Sequence, residues 1–227
     1  PEFISPWNSK LTSLINLTGL DESEVSSMVR SRLGQTDIPA KLIETVIQKV
    51  DGNPLFAEEM INSIVSDENT ILNTRDVPDT LRELFSNKLE RQGEAKLTAQ
   101  LASVIGRKFS YQLLKSIFPS EEGVLLADLT QLLASGFIHV VPRSDTLEYV
   151  FHHALVCDNA YESMGAELSE ITHREIACIL KESLESDTKS NKELNPAIRD
   201  LAHHFFKCND FKEAHHYLYI VGQQVLR

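Results

Sequence analysis

A chain of 227 residues with 42% apolar side chains can bury a core of its own, which excludes a wholly disordered chain. Its 22 Lys and Arg against 33 Asp and Glu leave a formal net charge of −11, which opposes nonspecific attraction to phosphate backbones and anionic membrane surfaces but leaves room for a local basic patch. Three widely spaced cysteines, Cys157, Cys178 and Cys208, argue against a disulfide framework or a CxxC metal site and fit a reducing cytoplasm.

Apolar runs such as FIHVV and LIETVI are too short to cross a bilayer, and no charged-then-apolar signal segment opens the chain. Pro1-Glu2-Phe3 reads as a cloning scar, because GAATTC encodes Glu-Phe, so the chain is expected to be cut from something longer. Val25, Met28, Val29 and Leu33 recur at helical spacing, with Asp21 or Ser23 to cap the start and Gly34 to close the end. A second helix starts at Pro39 and carries the stripe Leu42, Ile43, Val46, Ile47 and Val50. A third starts at Pro54, with Leu55, Phe56, Met60, Ile61, Ile64 and Val65 apolar. Between them, DGNPLF reads as a helix junction: Gly52 takes a left-handed, helix-ending conformation, and Pro54 stops one helix and starts the next.

A polar stretch at 66–76 marks a domain boundary. Helices are expected over 78–92, 94–105, 110–118 and 121–135, followed by two β-type runs, 137–141 and 147–151, around a Pro-Arg-Ser-Asp turn. Helices capped by one hairpin outline a winged helix. Beyond Ala154 the pattern is helical to the end, and Leu201, Ala202, Phe205, Ala214, Leu218 and Val221 fall at the packing positions of one tetratricopeptide-like (TPR-like) repeat, with Asn209-Asp210 at its turn. One repeat cannot bury both of its faces, so a longer helical array is expected to follow.

The order LTGL, DGNPLFAEEM, VPDTLRELFSNKLERQ, ASVIGRKF, LEYVFHHALVCDNAY and LAHHFF…EAHHYL resembles the signal-transduction ATPases with numerous domains (STAND), of the bacterial kind joined to nucleotide cyclases, protein kinases or LuxR-like regulators. The resemblance runs from about Leu17 to Val225. It implies a mainly α fold divided as follows: 1–16, scar and remnant of a nucleotide-binding core; 17–70, a helical lid; 77–165, a winged-helix subdomain with one β-hairpin; 167–227, the start of a TPR-like arm. No GxxxxGK[ST] phosphate loop and no apolar run ending in paired acids occurs, so the catalytic core is absent and no ATP or Mg site is expected in the chain itself. The resemblance implies ATP or ADP with Mg in the full-length protein, with Gly52, Asn53, Pro54 and Leu55 as a lid contact to adenine and ribose. Pro54 would offer a rigid apolar face and Gly52 a close backbone approach. The partners implied are the protein's own nucleotide-binding core and effector domain, together with a protein ligand of the arm. The chain would be a non-catalytic, cytoplasmic regulatory piece, with no nucleic acid and no membrane among its partners.

Adjacent Glu58 and Glu59 point about 100° apart on a helix, so they read as solvated or salt-bridged acids rather than a catalytic pair. The histidine pairs His152-His153, His203-His204 and His215-His216 lack the short loop spacings of structural zinc, although His153/Cys157 and His204/Cys208 are each four residues apart. His152 or His153 is expected to be hydrogen-bonded internally, and Glu170, which stands where the family often has Arg, puts a salt bridge to His173 in doubt. A hydrolase built on Cys157, Asp158 and His153 would need the thiol and a histidine in one open pocket. The alternative regulator, a DNA-binding winged helix, needs a basic footprint, yet the recognition-helix candidate EEGVLLADLTQLLAS holds neither Lys nor Arg and the wing only Arg143.

Overall fold

The computed structural model describes residues 18–34, 38–66, 78–142, 146–186 and 196–225. Among them are eleven helices and a three-stranded antiparallel sheet, a mainly α fold. None of the described helices is long and apolar enough to cross a membrane. The chain divides into two compact units, Pro1–Leu84 and Phe85–Arg227.

The first unit holds α1 (Glu22–Leu33), α2 (Ala40–Val50) and α3 (Pro54–Ser66), each packed on the other two. Of the two candidate caps, Asp21 is the one used: its Oδ1 accepts from the Glu24 N–H at 2.8 Å, while Glu24 Oε2 accepts from the Asp21 N–H at 2.9 Å. This is a capping box, which satisfies two backbone donors at once. Ser23 supports the cap by donating its hydroxyl to Asp21 Oδ1 at 2.7 Å. Gly34 closes α1 at φ 59°, its N–H bonded to Arg30 O. The apolar stripes then meet: Val25 and Val29, Leu42 and Val46, and Met60, Ile61 and Ile64 are each 1% exposed or less. Burying such a side chain contributes about 1.5–3 kcal/mol, so the three stripes supply the unit's cohesion.

The boundary between the units falls in α4 (Leu81–Glu90). In the second unit, α5 (Ala95–Ile105) is the central helix, with eight consecutive or near-consecutive positions from Ala95 to Val104 buried. Around it stand β1 (Lys108–Ser110), α6 (Tyr111–Ile117), α7 (Glu122–Ala134), β2 (Ile138–Pro142), β3 (Leu147–Phe151) and α8 (Ala154–Glu162). The expected hairpin is present, with Val140 opposite Tyr149, and its turn at 143–145 lies outside the described residues. β1 is an addition: Phe109 pairs with Tyr149, giving the strand order β1-β3-β2. The Phe109 ring stacks on Tyr149 at 5.6 Å and packs against the fully buried Phe151.

One buried polar pair ties α7 to α5: the Thr98 hydroxyl donates to Asp128 Oδ2, both residues being buried. Removing one partner of a buried pair leaves the other unsatisfied. Thr98→Val is therefore expected to cost about 1–2 kcal/mol by urea denaturation, and a neutral result would mean that water replaces the hydroxyl.

α9 (Ala166–Ser186), α10 (Pro196–Lys207) and α11 (Phe211–Val225) complete the unit. Leu201, Ala202, Phe205 and Ala214 are buried as their spacing predicts, but Leu218 is 52% exposed. Tyr217 takes the core position instead, stacked on Phe205 at 5.8 Å with its ring nearly parallel, because one step along the helix turns Leu218 by about 100° away from α10. Asn209 makes the turn in the left-handed region at φ 62°, and Asp210 Oδ1 accepts from the Glu213 N–H.

Candidate functional site

The junction between α2 and α3 begins with two residues at positive φ. Asp51 (φ 46°) ends α2, and Gly52 follows at φ 72°. Asn53 then starts α3: its Oδ1 accepts from the Phe56 N–H at 3.2 Å and its carbonyl from the Ala57 N–H at 3.0 Å. Pro54 occupies the first helical position, where an N–H would have no partner in the helix. Asn53 and Pro54 are exposed and Leu55 is half-buried.

Gly52 takes the left-handed conformation expected of it and is needed for a second reason as well. Its carbonyl accepts from the Leu20 N–H at 2.8 Å, and a Cβ at position 52 would stand 2.9 Å from Leu20 O. A Cβ on Gly19 would in turn stand 3.0 Å from Gly52 O. A close backbone approach at Gly52 is thus made by the chain's own Gly19-Leu20 segment, while Asn53 and Pro54 are exposed and Gly52 and Leu55 keep part of their surface. Glu58 is exposed 3.8 Å from Arg32, whereas Glu59, on the neighbouring helical position, is buried.

In the second unit a polar cleft of about 480 Å³ opens between the loop after α5 and helices α8, α9 and α10. His173 stands on the buried stripe of α9 with Thr172, Ile176 and Ala177. Its Nδ1 lies 2.8 Å from Nδ1 of His204 on α10, and its Nε2 lies 3.0 Å from the Tyr161 hydroxyl on α8. Ser169 extends the chain by donating to the Tyr161 oxygen at 3.4 Å. Two ring nitrogens this close must be one donor and one acceptor, so the pair is satisfied only while at least one imidazole is neutral.

Burial enforces that neutrality. It pushes the pKa of His173 down to about 4, with the charges of His203 and Lys207 adding to the effect. The same cause, with His173 and His203 adding, takes His204 down to about 3, and His203 is lowered as well. Cys157 lines the same cleft as His173, His203 and His204, and His153 is not among the lining residues. Burial, with Asp158 adding and Arg107 opposing, drives the Cys157 thiol up to about 12. Its Sγ points at Ser103 O, 3.9 Å away, and a thiol held above its ordinary pKa is a weaker nucleophile than thiolate. Cys208 is buried in the apolar cluster of α10 and α11, its thiol on Phe205 O at 3.4 Å.

The adjacent histidine pairs of the sequence are therefore not the cluster that forms. His204 belongs to it, but its partner is the single His173, thirty-one positions earlier. His152, His215 and His216 are exposed. His153 serves through its backbone carbonyl, which accepts from the first turn of α8. Glu170 turns to Arg174 at 3.0 Å and accepts from Asn209 at 3.2 Å. The signal for His173 was present in the helical spacing from Ser169 through Thr172 and His173 to Ile176, which puts it on the inward face. On α7 the outward face carries Glu122, Val124, Leu126, Ala127 and Thr130, with no cation to meet a phosphate backbone.

Residues 21–71 match the family model of a domain of unknown function, DUF8739, and the match takes in α1, α2 and α3. No curated protein matches the chain.

Proposed function

We propose that this chain is the non-catalytic regulatory part of a STAND-type ATPase: a lid, a winged helix and the first helices of a TPR-like arm. The observation that carries the reading is the order of parts. A three-helix unit precedes a helix–strand–helix–helix–hairpin arrangement whose first short strand adds to the hairpin at β3, and helical hairpins follow. That strand order supports the winged-helix reading, and the match over 21–71 supports the first unit as a module in its own right. Cys157 and Cys208 are buried free thiols, which supports a reducing, cytoplasmic setting.

In this reading the chain couples the nucleotide state of a P-loop core to the arm and to an effector, by rigid-body movement of lid and winged helix. The exposed Pro54 ring and Asn53 side chain are the lid's contact with adenine and ribose. Alone, the chain lacks the phosphate anchors that would offset the entropy lost on binding. Fluorescent ATP and ADP are therefore expected to bind a chain extended upstream through the core and not the present chain. Pro54→Ala is expected to weaken binding by the extended chain roughly ten-fold, about 1.4 kcal/mol. Equal binding with alanine would reduce the turn to a helix junction.

A further inference from the structure

α5, the end of α6 and α9 enclose a groove of about 600 Å³ within the second unit. Its walls are mainly apolar, with Leu97, Leu101, Ile117, Phe118, Leu168 and Ile171 beside a few polar groups. Leu168 and Ile171 remain 38% and 45% exposed although the groove gathers them with other apolar side chains. On α9 the positions 168, 171, 175, 179 and 182 share one face at the i, i+3, i+7 spacing. Two of them are acids, Glu175 in the groove wall and Glu182 two turns further along, both exposed and without an ion pair among the described residues. Neighbouring charges are engaged elsewhere: Glu170 with Arg174, Lys181 with Glu213, Lys115 with Glu122.

We infer that this groove receives an amphipathic helix of a partner protein, with an apolar stripe for Leu168 and Ile171 and two basic residues spaced for Glu175 and Glu182. The two acids are separated by about 10.5 Å along the axis of α9, so Lys or Arg seven positions apart on a helix lying alongside meet both. A second copy of the chain is the wrong occupant, since it would bring a like-charged surface from a protein of net charge −11. An anionic bilayer is opposed by the same charge.

The test is fluorescence anisotropy of the whole chain with two synthetic helical peptides, one of Leu and Lys carrying lysines seven apart beside a leucine stripe, the other its Leu and Glu twin. The Lys peptide is expected to bind and the Glu peptide not. Ile171→Asp, and independently Leu168→Ser, should weaken binding at least about ten-fold while the helical circular dichroism is retained, both sites being exposed. The Glu175→Lys, Glu182→Lys double variant should reverse the preference between peptides. Equal binding of both peptides, binding untouched by Ile171→Asp, or failure of the Lys peptide to bind would overturn the assignment. So would concentration-dependent dimers by sedimentation that Ile171→Asp abolishes, because the occupant would then be a second copy.

Discussion

Between pH 6.5 and about 4 the second unit is expected to lose roughly 3 kcal/mol of stability through His173, the cost of holding a buried imidazole neutral. The sign follows from where the protons go. Above 6.5 His173 is neutral folded and unfolded, so it contributes no pH dependence. Below 6.5 the unfolded chain takes up a proton that the folded unit refuses until about 4, and each pH unit of that gap favours unfolding by about 1.4 kcal/mol. His204, held at about 3, adds in the same direction, but the two are bonded to each other and their effects do not sum. His203, Lys207 and Asp200 are the charged neighbours on α10 that modulate the window. Urea midpoints measured from pH 7.5 to 4.5, with amide exchange in α9 and α10, would follow the loss. Replacing His173 and His204 by Leu together with Tyr161→Phe removes the bonded groups together, so stability at neutral pH should change little while the slope flattens. A wild-type slope that persists in that variant would place the acid-sensitive group elsewhere.

How far this site could be read from the chain depends on the range over which each feature is determined. Helix positions were legible because period and punctuation agree: Pro39, Gly34, Gly52 and Pro54 mark ends that the structure keeps within a residue or two. β1 was not, since Lys108, Phe109 and Ser110 are too few to show alternation. Ser110 read as the start of a helix because it does cap α6, its hydroxyl accepting from the Leu113 N–H. What makes the stretch a strand is the edge of β3 some forty residues later and the stacking of Phe109 on Tyr149. Tertiary pairing of that sort leaves no mark in a local window.

The histidine cluster fails to show for a related reason. Adjacent histidines draw the eye, yet adjacency on a helix sends two rings in directions about 100° apart, and in the pair at 203 and 204 only His204 is buried. Tyr161, His173 and His204 come from three helices, so no motif could hold them. The Tyr217 and Leu218 exchange is a one-position error of the same kind, a phase of the helical period settled by which ring fits against Phe205. Position 52 is the opposite case, where the sequence identified the residue and its left-handed conformation, and the structure added the close approach of Leu20 as a second reason for it.

That reason makes Gly52→Ala the sharper of two glycine substitutions in the first unit. At φ 59° Gly34 already favours glycine, but an added Cβ meets nothing within 4 Å, so Gly34→Ala should cost about 1 kcal/mol, the conformational penalty alone. At Gly52 the same penalty applies, and the Cβ would also stand 2.9 Å from a backbone carbonyl that cannot rotate away. Relief requires the 18–20 segment to move, which breaks the Leu20 N–H bond to Gly52 O. Gly52→Ala is therefore expected to cost roughly 2–4 kcal/mol, and to raise amide exchange at Leu20 before that of α2 and α3. Equal losses for the two variants in urea would show that the Gly19-Gly52 contact contributes nothing. A large loss at Gly52 also decides how the nucleotide proposal has to be tested. Such a variant would fail to bind through damage to the unit, whatever the turn touches, whereas Pro54 is exposed at a first-turn position that alanine also fills. Only the proline substitution separates a ligand contact from the stability of the turn that presents it.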